Sequence, residues 1–218
     1  MSYLEMFLKG GYMMWPILLC SIIGIGIIID RLIAVRKAKL NVPAFMVKIR
    51  GYLKRGDVQG AIGYCLEDKS SASNIIRKGL KKYRLGHERV KEAIENAGKL
   101  EIGKLEKGLS MLATISGVAP LIGFLGTVTG MIQAFVQIED LQGSASPSDL
   151  AAGIWEALIT TAFGLAVGII AYTFYNYLVS KISKVVIDME VISNDVVDII
   201  EEATGAGRDV QEPEEIEM

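Results

Sequence analysis

Glu156 is set apart by its surroundings: it is the one charged residue in an otherwise uncharged run from Leu150 to Ser180. A carboxylate at membrane depth is costly enough to be a functional-site candidate by default. Thr160, four residues on, shares its helical face, and Thr161 extends the polar surface further along the run. A second uncharged run, Leu109 to Ile138, carries Ser116, Thr127, Gln133 and Gln137 among Gly117, Gly123, Gly126 and Gly130. Hydroxyls and a carboxylate lining apolar helices suit a water-lined, proton-accessible path. Blander readings stand beside this one. Glu156 sits at the outer interface if its span starts a turn later, Thr127 bonds its own helix carbonyl, and the glycines serve packing alone.

Apart from Glu156, the uncharged runs hold no Asp, Glu, Lys, Arg or His. The sequence also has no Gly-rich phosphate loop ending in Lys-Ser/Thr, no HExxH and no Cys/His cluster. No Ser–His–Asp set can be assembled across the topology, and His87, the only histidine, reads as an ordinary surface residue. The expectation is therefore a protein that is not an enzyme and needs no cofactor. If the chain handles ions, the titrating group comes from another protein and these helices supply the wall.

The elements that must position these residues are long apolar helices. Gly10 to Ile29 is free of charge, and about 20 helical residues at 1.5 Å each match a hydrocarbon core of about 30 Å. With Leu109–Ile138 and Leu150–Ser180, this predicts an all-α membrane protein with three transmembrane helices, two of them extending into a cytoplasmic helical region. Charge gives the orientation. Residues 30–108 hold 19 of the 23 Lys and Arg against 9 acids, a balance of +10, whereas residues 181–218 balance to −8. Basic residues beside span ends favour the cytoplasm, and Glu139–Asp149 contains three acids and no base. The expected order is an external segment 1–9, span 10–29, cytoplasmic region 30–108, span 109–138, periplasmic loop 139–149 and span 150–180. A cytoplasmic extension 181–202 and an acidic disordered tail 203–218 follow. Acids interspersed among the bases, few aromatics and the flanking spans argue against nucleic acid as the partner. Cys20 and Cys65 fall on different segments, and no disulfide is expected between them.

Within residues 30–108, Val42-Pro43 opens one helix, Asp57 caps another through Leu66, and Ser71 or Ser73 caps a third through Tyr83. Val90, Ile94, Ala97, Leu100, Leu105 and Leu109 follow a near-helical period that predicts one helix running into the second span. Val185, Val186, Met189, Ile192, Val196, Ile199 and Ile200 alternate with acids after the third span, and Gly205 and Gly207 close that helix.

At about 100° per residue, Ser116, Pro120, Gly123 and Thr127 share one face of the second span. Gly126 with Gly130, and Gly164 with Gly168, are small-xxx-small pairs that allow close helix approach. The stretches Ala119-Pro120-Leu121-Ile122-Gly123-Phe124-Leu125-Gly126-Thr127-Val128-Thr129-Gly130 and Glu156-Ala157-Leu158-Ile159-Thr160-Thr161-Ala162-Phe163-Gly164-Leu165 together resemble the MotA/TolQ/ExbB proton-channel family. The likeness is densest over residues 108–180, and the three-span layout is that of ExbB and TolQ.

The resemblance implies a multi-pass subunit of the bacterial inner membrane, amino terminus periplasmic and carboxy terminus cytoplasmic. It implies a homopentamer around a dimer of a single-span ExbD/TolR-like partner that carries an intramembrane Asp, coupled to a TonB/TolA-like protein. By motif position, Thr127 and Thr161 line the proton path, with Glu156 and Thr160 beside it. Pro120, Gly123, Gly126, Gly130, Ala157 and Gly164 match packing positions, and Gly168 continues the small-residue spacing. Thr129 and Ile170 depart from the family pattern, which often has a bulky residue at the first place and a proline at the second. The alternative from another class is a non-conducting membrane scaffold whose small residues pack helices and whose basic region recruits a cytoplasmic partner or anionic membrane lipid.

Overall fold

The computed structural model describes residues 3–68, 70–141 and 146–204. Among them the chain forms eight α-helices and no strand: α1 (Tyr3–Lys9), α2 (Met14–Ala38), α3 (Val42–Lys54), α4 (Val58–Glu67), α5 (Ser71–Leu80), α6 (His87–Glu106), α7 (Leu109–Asp140) and α8 (Pro147–Thr204). A 3-10 turn, Tyr83–Leu85, lies between α5 and α6. Three stretches are long and apolar enough to cross a membrane, as the uncharged runs predict. The chain divides into two compact units, Met1–Leu32 with Gly108–Val179, and Ile33–Lys107 with Ser180–Met218.

The first unit holds α1, most of α2, α7 and the first part of α8. The run expected to span from Gly10 opens with a turn instead: α1 ends at Lys9 and α2 begins at Met14. Met14 and Ile17 are buried with Ile159 of α8, and Met6, Phe7, Ile122, Phe163 and Val167 pack around them. The outward side of α2 is apolar as well, with Trp15, Leu19, Ile22, Ile25 and Ile29 exposed. On a 25-residue helix, about 37 Å long, such a stripe suits lipid rather than water.

The second unit is built by capped amphipathic helices. Asn41 accepts a hydrogen bond from the Ala44 N–H at 3.3 Å with Pro43 in the first turn of α3, and Asp57 accepts from Gly60 N–H at 2.8 Å. The third cap is Ser70, not Ser71 or Ser73: its Oγ accepts from Ser73 N–H at 3.2 Å, and Ser71 and Ser73 are drawn into the helix and buried. That helix ends at Leu80, and Tyr83 belongs to the 3-10 turn that follows. Phe45, Ile49, Leu53, Ala61, Cys65, Ile75, Ile76 and Leu80 form the buried sides of α3, α4 and α5. In α8, Ile182, Val185, Met189, Ile192, Val196, Ile199 and Ile200 are buried, the face that the apolar period predicts, with Val186 half-buried at its edge.

Two expectations for α6 change. Its buried face is Val90, Ile94, Ala97, Glu101 and Leu105, whereas Leu100 is exposed. The face keeps a seven-residue step from Ile94 to Glu101, and the buried carboxylate is held by Lys104 Nζ at 2.7 Å. The helix also does not run unbroken into the second span. Lys107 and Gly108 interrupt it, and Gly108 has φ +82°, a left-handed conformation that glycine takes without a Cβ penalty. The predicted end of α8 at Gly205 and Gly207, and the tail, lie outside the described residues.

Candidate functional site: a hydroxyl pair in a glycine-lined helix contact

The contact between α7 and α8 is set by residues too small to hold the backbones apart. A methyl group on Gly123 would lie 2.9 Å from the Thr160 carbonyl oxygen and 3.1 Å from the Gly164 Cα, and one on Gly164 would lie 2.7 Å from the Ala119 carbonyl oxygen. Further along, Gly130 and Gly153 each approach the other's carbonyl so closely that a methyl on either would stand 2.7 Å from it. Gly126 abuts the Thr160 side chain, and Ala157 is buried against Gly130. At the other end Gly168 packs on the Pro120 ring and the Ser116 carbonyl, which Pro120 deprives of its helical N–H donor. The face predicted from Ser116, Pro120, Gly123 and Thr127 is therefore the one that meets α8.

Sequence reasoning missed Gly153 and its neighbour Ala134. The signal was present, because Gly153, Ala157, Thr160, Gly164 and Gly168 recur at steps of three and four.

This close approach brings Thr127 and Thr161 together. Their hydroxyls are hydrogen-bonded to each other. Thr127 Oγ1 also lies within donating distance of the Ala157 carbonyl, 3.3 Å, and Thr161 Oγ1 of the Gly123 carbonyl, 3.1 Å; with one proton each, the pair fills two of these three bonds at a time. Thr127 is thus turned to the neighbouring helix, whereas Thr129, two residues on, bonds carbonyls of its own helix, Leu125 at 3.2 Å and Gly126 at 3.1 Å.

The Ala157 carbonyl is oversubscribed. The hydroxyls of Thr127 at 3.3 Å, Thr160 at 3.0 Å and Thr161 at 3.1 Å all reach it, in addition to its helical N–H partner. Two lone pairs cannot serve every donor, and each hydroxyl carries one proton. Several proton arrangements are therefore open to Thr127 and Thr161. Both residues are half-buried, at the edge of the contact.

Thr160 differs. It is fully buried, and its hydroxyl is satisfied by its own helix at the carbonyls of Glu156 and Ala157, both 3.0 Å away. In this chain it fills the space over Gly126.

Glu156 is half-buried and not beside the threonine pair. Five residues separate it from Thr161, about 140° around α8 and about 8 Å along it. Its carboxylate lies against Gly11, just before the start of α2. Ile170, at the position where the family pattern often has proline, is 51% exposed.

A helical membrane bundle with a small-residue contact and a hydroxyl pair at its edge is the class of protein these features define. The pattern of the MotA/TolQ/ExbB proton channel family matches residues 67–191, and the chain belongs to that family. It is 31% identical over 192 residues to a protein named as an ExbB homologue of biopolymer transport in Methanothermobacter thermautotrophicus, covering 88% of this chain and 68% of that one. An ExbB-like protein of Synechocystis is 33% identical, with 83% and 72% covered. The Tol-Pal system protein TolQ of Pseudomonas aeruginosa is 30% identical, with 66% of each chain covered. Family, fold and names agree on a membrane proton-channel protein of the ExbB/TolQ kind.

Proposed function

We propose that this chain is the wall subunit of a proton-driven stator in the bacterial inner membrane, amino terminus periplasmic and carboxy terminus cytoplasmic. Five copies surround a dimer of an ExbD/TolR-like single-span partner, and the assembly drives a TonB/TolA-like protein that acts on outer-membrane transport or integrity. The observation that carries this reading is the Thr127–Thr161 hydroxyl pair, joined across α7 and α8 and sharing an oversubscribed acceptor.

The chemistry follows from charge and hydrogen bonding. Apart from Glu156 the uncharged runs offer no strongly titrating carboxylate or base, so the partner's intramembrane Asp carries the proton. An ionised Asp is costly against apolar walls, and protonation removes that cost. A hydroxyl whose internal acceptor is contested can donate to the ionised Asp without losing a bond it holds alone. Once the Asp is protonated, the same hydroxyl accepts from it and returns its own proton to Gly123 or Ala157. The pair therefore serves both protonation states while remaining neutral. Glu156 and Thr160 lie on the same helix, and Glu156, toward its start, stands at the outer approach to the path. Moving one charge through 100 mV supplies about 2.3 kcal/mol, enough for a small conformational step on each passage.

Native mass spectrometry of the chain, alone and co-expressed with an Asp-bearing single-span partner, tests the assembly. Five copies holding two of the partner is the expected stoichiometry. A monomer or dimer that ignores the partner, reproduced in a lipid nanodisc, would contradict it and favour the scaffold.

A further inference from the structure

We propose that Gly11 positions the Glu156 carboxylate, so that the turn between α1 and α2 belongs to the proton path; this rests on the reading that Glu156 lies on that path. Gly11 has φ +65°, and a methyl group there would fall inside the carboxylate of Glu156. The side chain therefore occupies space that exists only because residue 11 has no Cβ.

The turn is pinned from both sides. Gly10 is buried, and a methyl on it would meet Met14 and, at 3.1 Å, Ile159 of α8. Met14 and Ile159 belong to the apolar cluster that also takes in Met6 and Phe7 of α1. The Phe7 ring stands edge-on to Trp15 of α2, centroids 5.5 Å apart at 86°. Behind Gly11 the first turn of α2 closes by Met14 N–H donating to Gly11 O and Trp15 N–H to Tyr12 O, each at 3.3 Å. The carboxylate thus rests at the amino end of a 25-residue helix, where the macrodipole favours negative charge. Among the described residues it forms no hydrogen bond or ion pair, so shape and the helix end hold it rather than a partner side chain.

α1 then has a task that its seven residues would not suggest: through Phe7 and Met6 it fixes the turn, and through the turn it fixes Glu156. A glycine needed only for its backbone angle would not care what residue 156 is. A glycine that shapes the carboxylate's place would.

The test is a double-substitution cycle on the chain in complex with a co-expressed ExbD/TolR-type partner, reconstituted in liposomes. Gly11→Ala is expected to lower the melting temperature by several degrees in the Glu156 background and by less than half as much with Glu156→Ala, because backbone strain is common to both and cancels. It is also expected to cut proton flux at least about tenfold, and Glu156→Asp, with a carboxylate one methylene shorter, to restore part of that flux in the Gly11→Ala background. Should Gly11→Ala fail to assemble, Phe7→Ala loosens α1 without adding atoms, and labelling of Glu156 by a water-soluble carbodiimide is then expected to quicken several-fold. Equal melting shifts in both backgrounds, or labelling unchanged by Phe7→Ala, would overturn the inference. So would full flux in Gly11→Ala where Glu156→Gln has lost it. Full flux in Glu156→Gln would overturn the path role of Glu156 and with it the inference's functional half, while the melting cycle would still report the contact.

Discussion

The Thr161 hydroxyl of α8 stands 3.1 Å from the main-chain oxygen of Gly123 in α7, the same distance as from the Ala157 carbonyl of its own helix. That choice of acceptors exists because Gly123 and Gly164 let the backbones touch. A methyl group at either position would press on main-chain atoms of the facing helix, at 2.9 Å for Gly123 and 2.7 Å for Gly164.

Stability and function should therefore separate at the threonines. Thr127→Val and Thr161→Val keep the shape and remove a donor whose acceptors retain helical partners. The expected cost is about 0.5–2 kcal/mol, the range of interhelical hydrogen bonds in membranes. Thermal unfolding of the detergent-solubilised complex checks this, and assembly should survive.

Glycines in α7 and α8 should divide sharply by location. Gly123→Ala and Gly164→Ala push a methyl into main-chain atoms, an overpacking expected to cost about 1–3 kcal/mol. Gly117→Ala meets nothing within 4 Å and should be neutral or slightly stabilising, since alanine is the better helix former. The ranking of melting temperatures decides it.

In the second unit, Cys65 is buried, and desolvation first, then the negative charge of Asp68, push its thiol up to about 12, against a smaller lowering by Arg77. At pH 8 the folded protein should expose on the order of a thousandfold less thiolate at this site than the unfolded chain, and maleimide labelling of Cys65 should slow accordingly. The linked stability is fully present below pH 9.0, the ordinary value, and is lost as pH rises from there toward about 12. Chemical denaturation at pH 8 and pH 10.5 should show the loss, and Cys65→Ala should lessen it.

Ser70→Ala should destabilise α5 by about 1 kcal/mol, since its hydroxyl accepts from the Ser73 N–H. Ser71→Ala should cost less. Circular dichroism melts of the two variants compare them directly.

Period and charge made much of this chain legible. Uncharged runs and basic flanks reveal the three long helices, and the apolar steps from Val185 to Ile200 reveal the buried face of α8. Local chemistry was less so. Ser70, Ser71 and Ser73 are equivalent as cap formers until the register of Ile75 and Ile76 toward the core is fixed. The same holds for Leu100 and Glu101, where position on the helix outweighs hydrophobicity because Lys104 compensates the buried acid. At the candidate site, the family resemblance singled out Thr127 and Thr161 by motif position, whereas the meeting of their hydroxyls across α7 and α8 depends on how closely the helices pack. The place of Glu156 against Gly11 depends on a left-handed turn before α2, and nothing in the periodicity of a helix encodes such a turn.

On the proposed mechanism the Thr127–Thr161 hydroxyls serve both protonation states of the proton-carrying Asp rather than merely join helices. Its most direct test is proton flux into liposomes containing the chain and its single-span partner, comparing Thr161→Ser and Thr161→Val. Serine keeps the hydroxyl and should conduct within a few-fold of the parent, whereas valine should lose at least about tenfold, a barrier change of about 1.4 kcal/mol. Equal flux in both variants, with the assembly intact, would contradict the account.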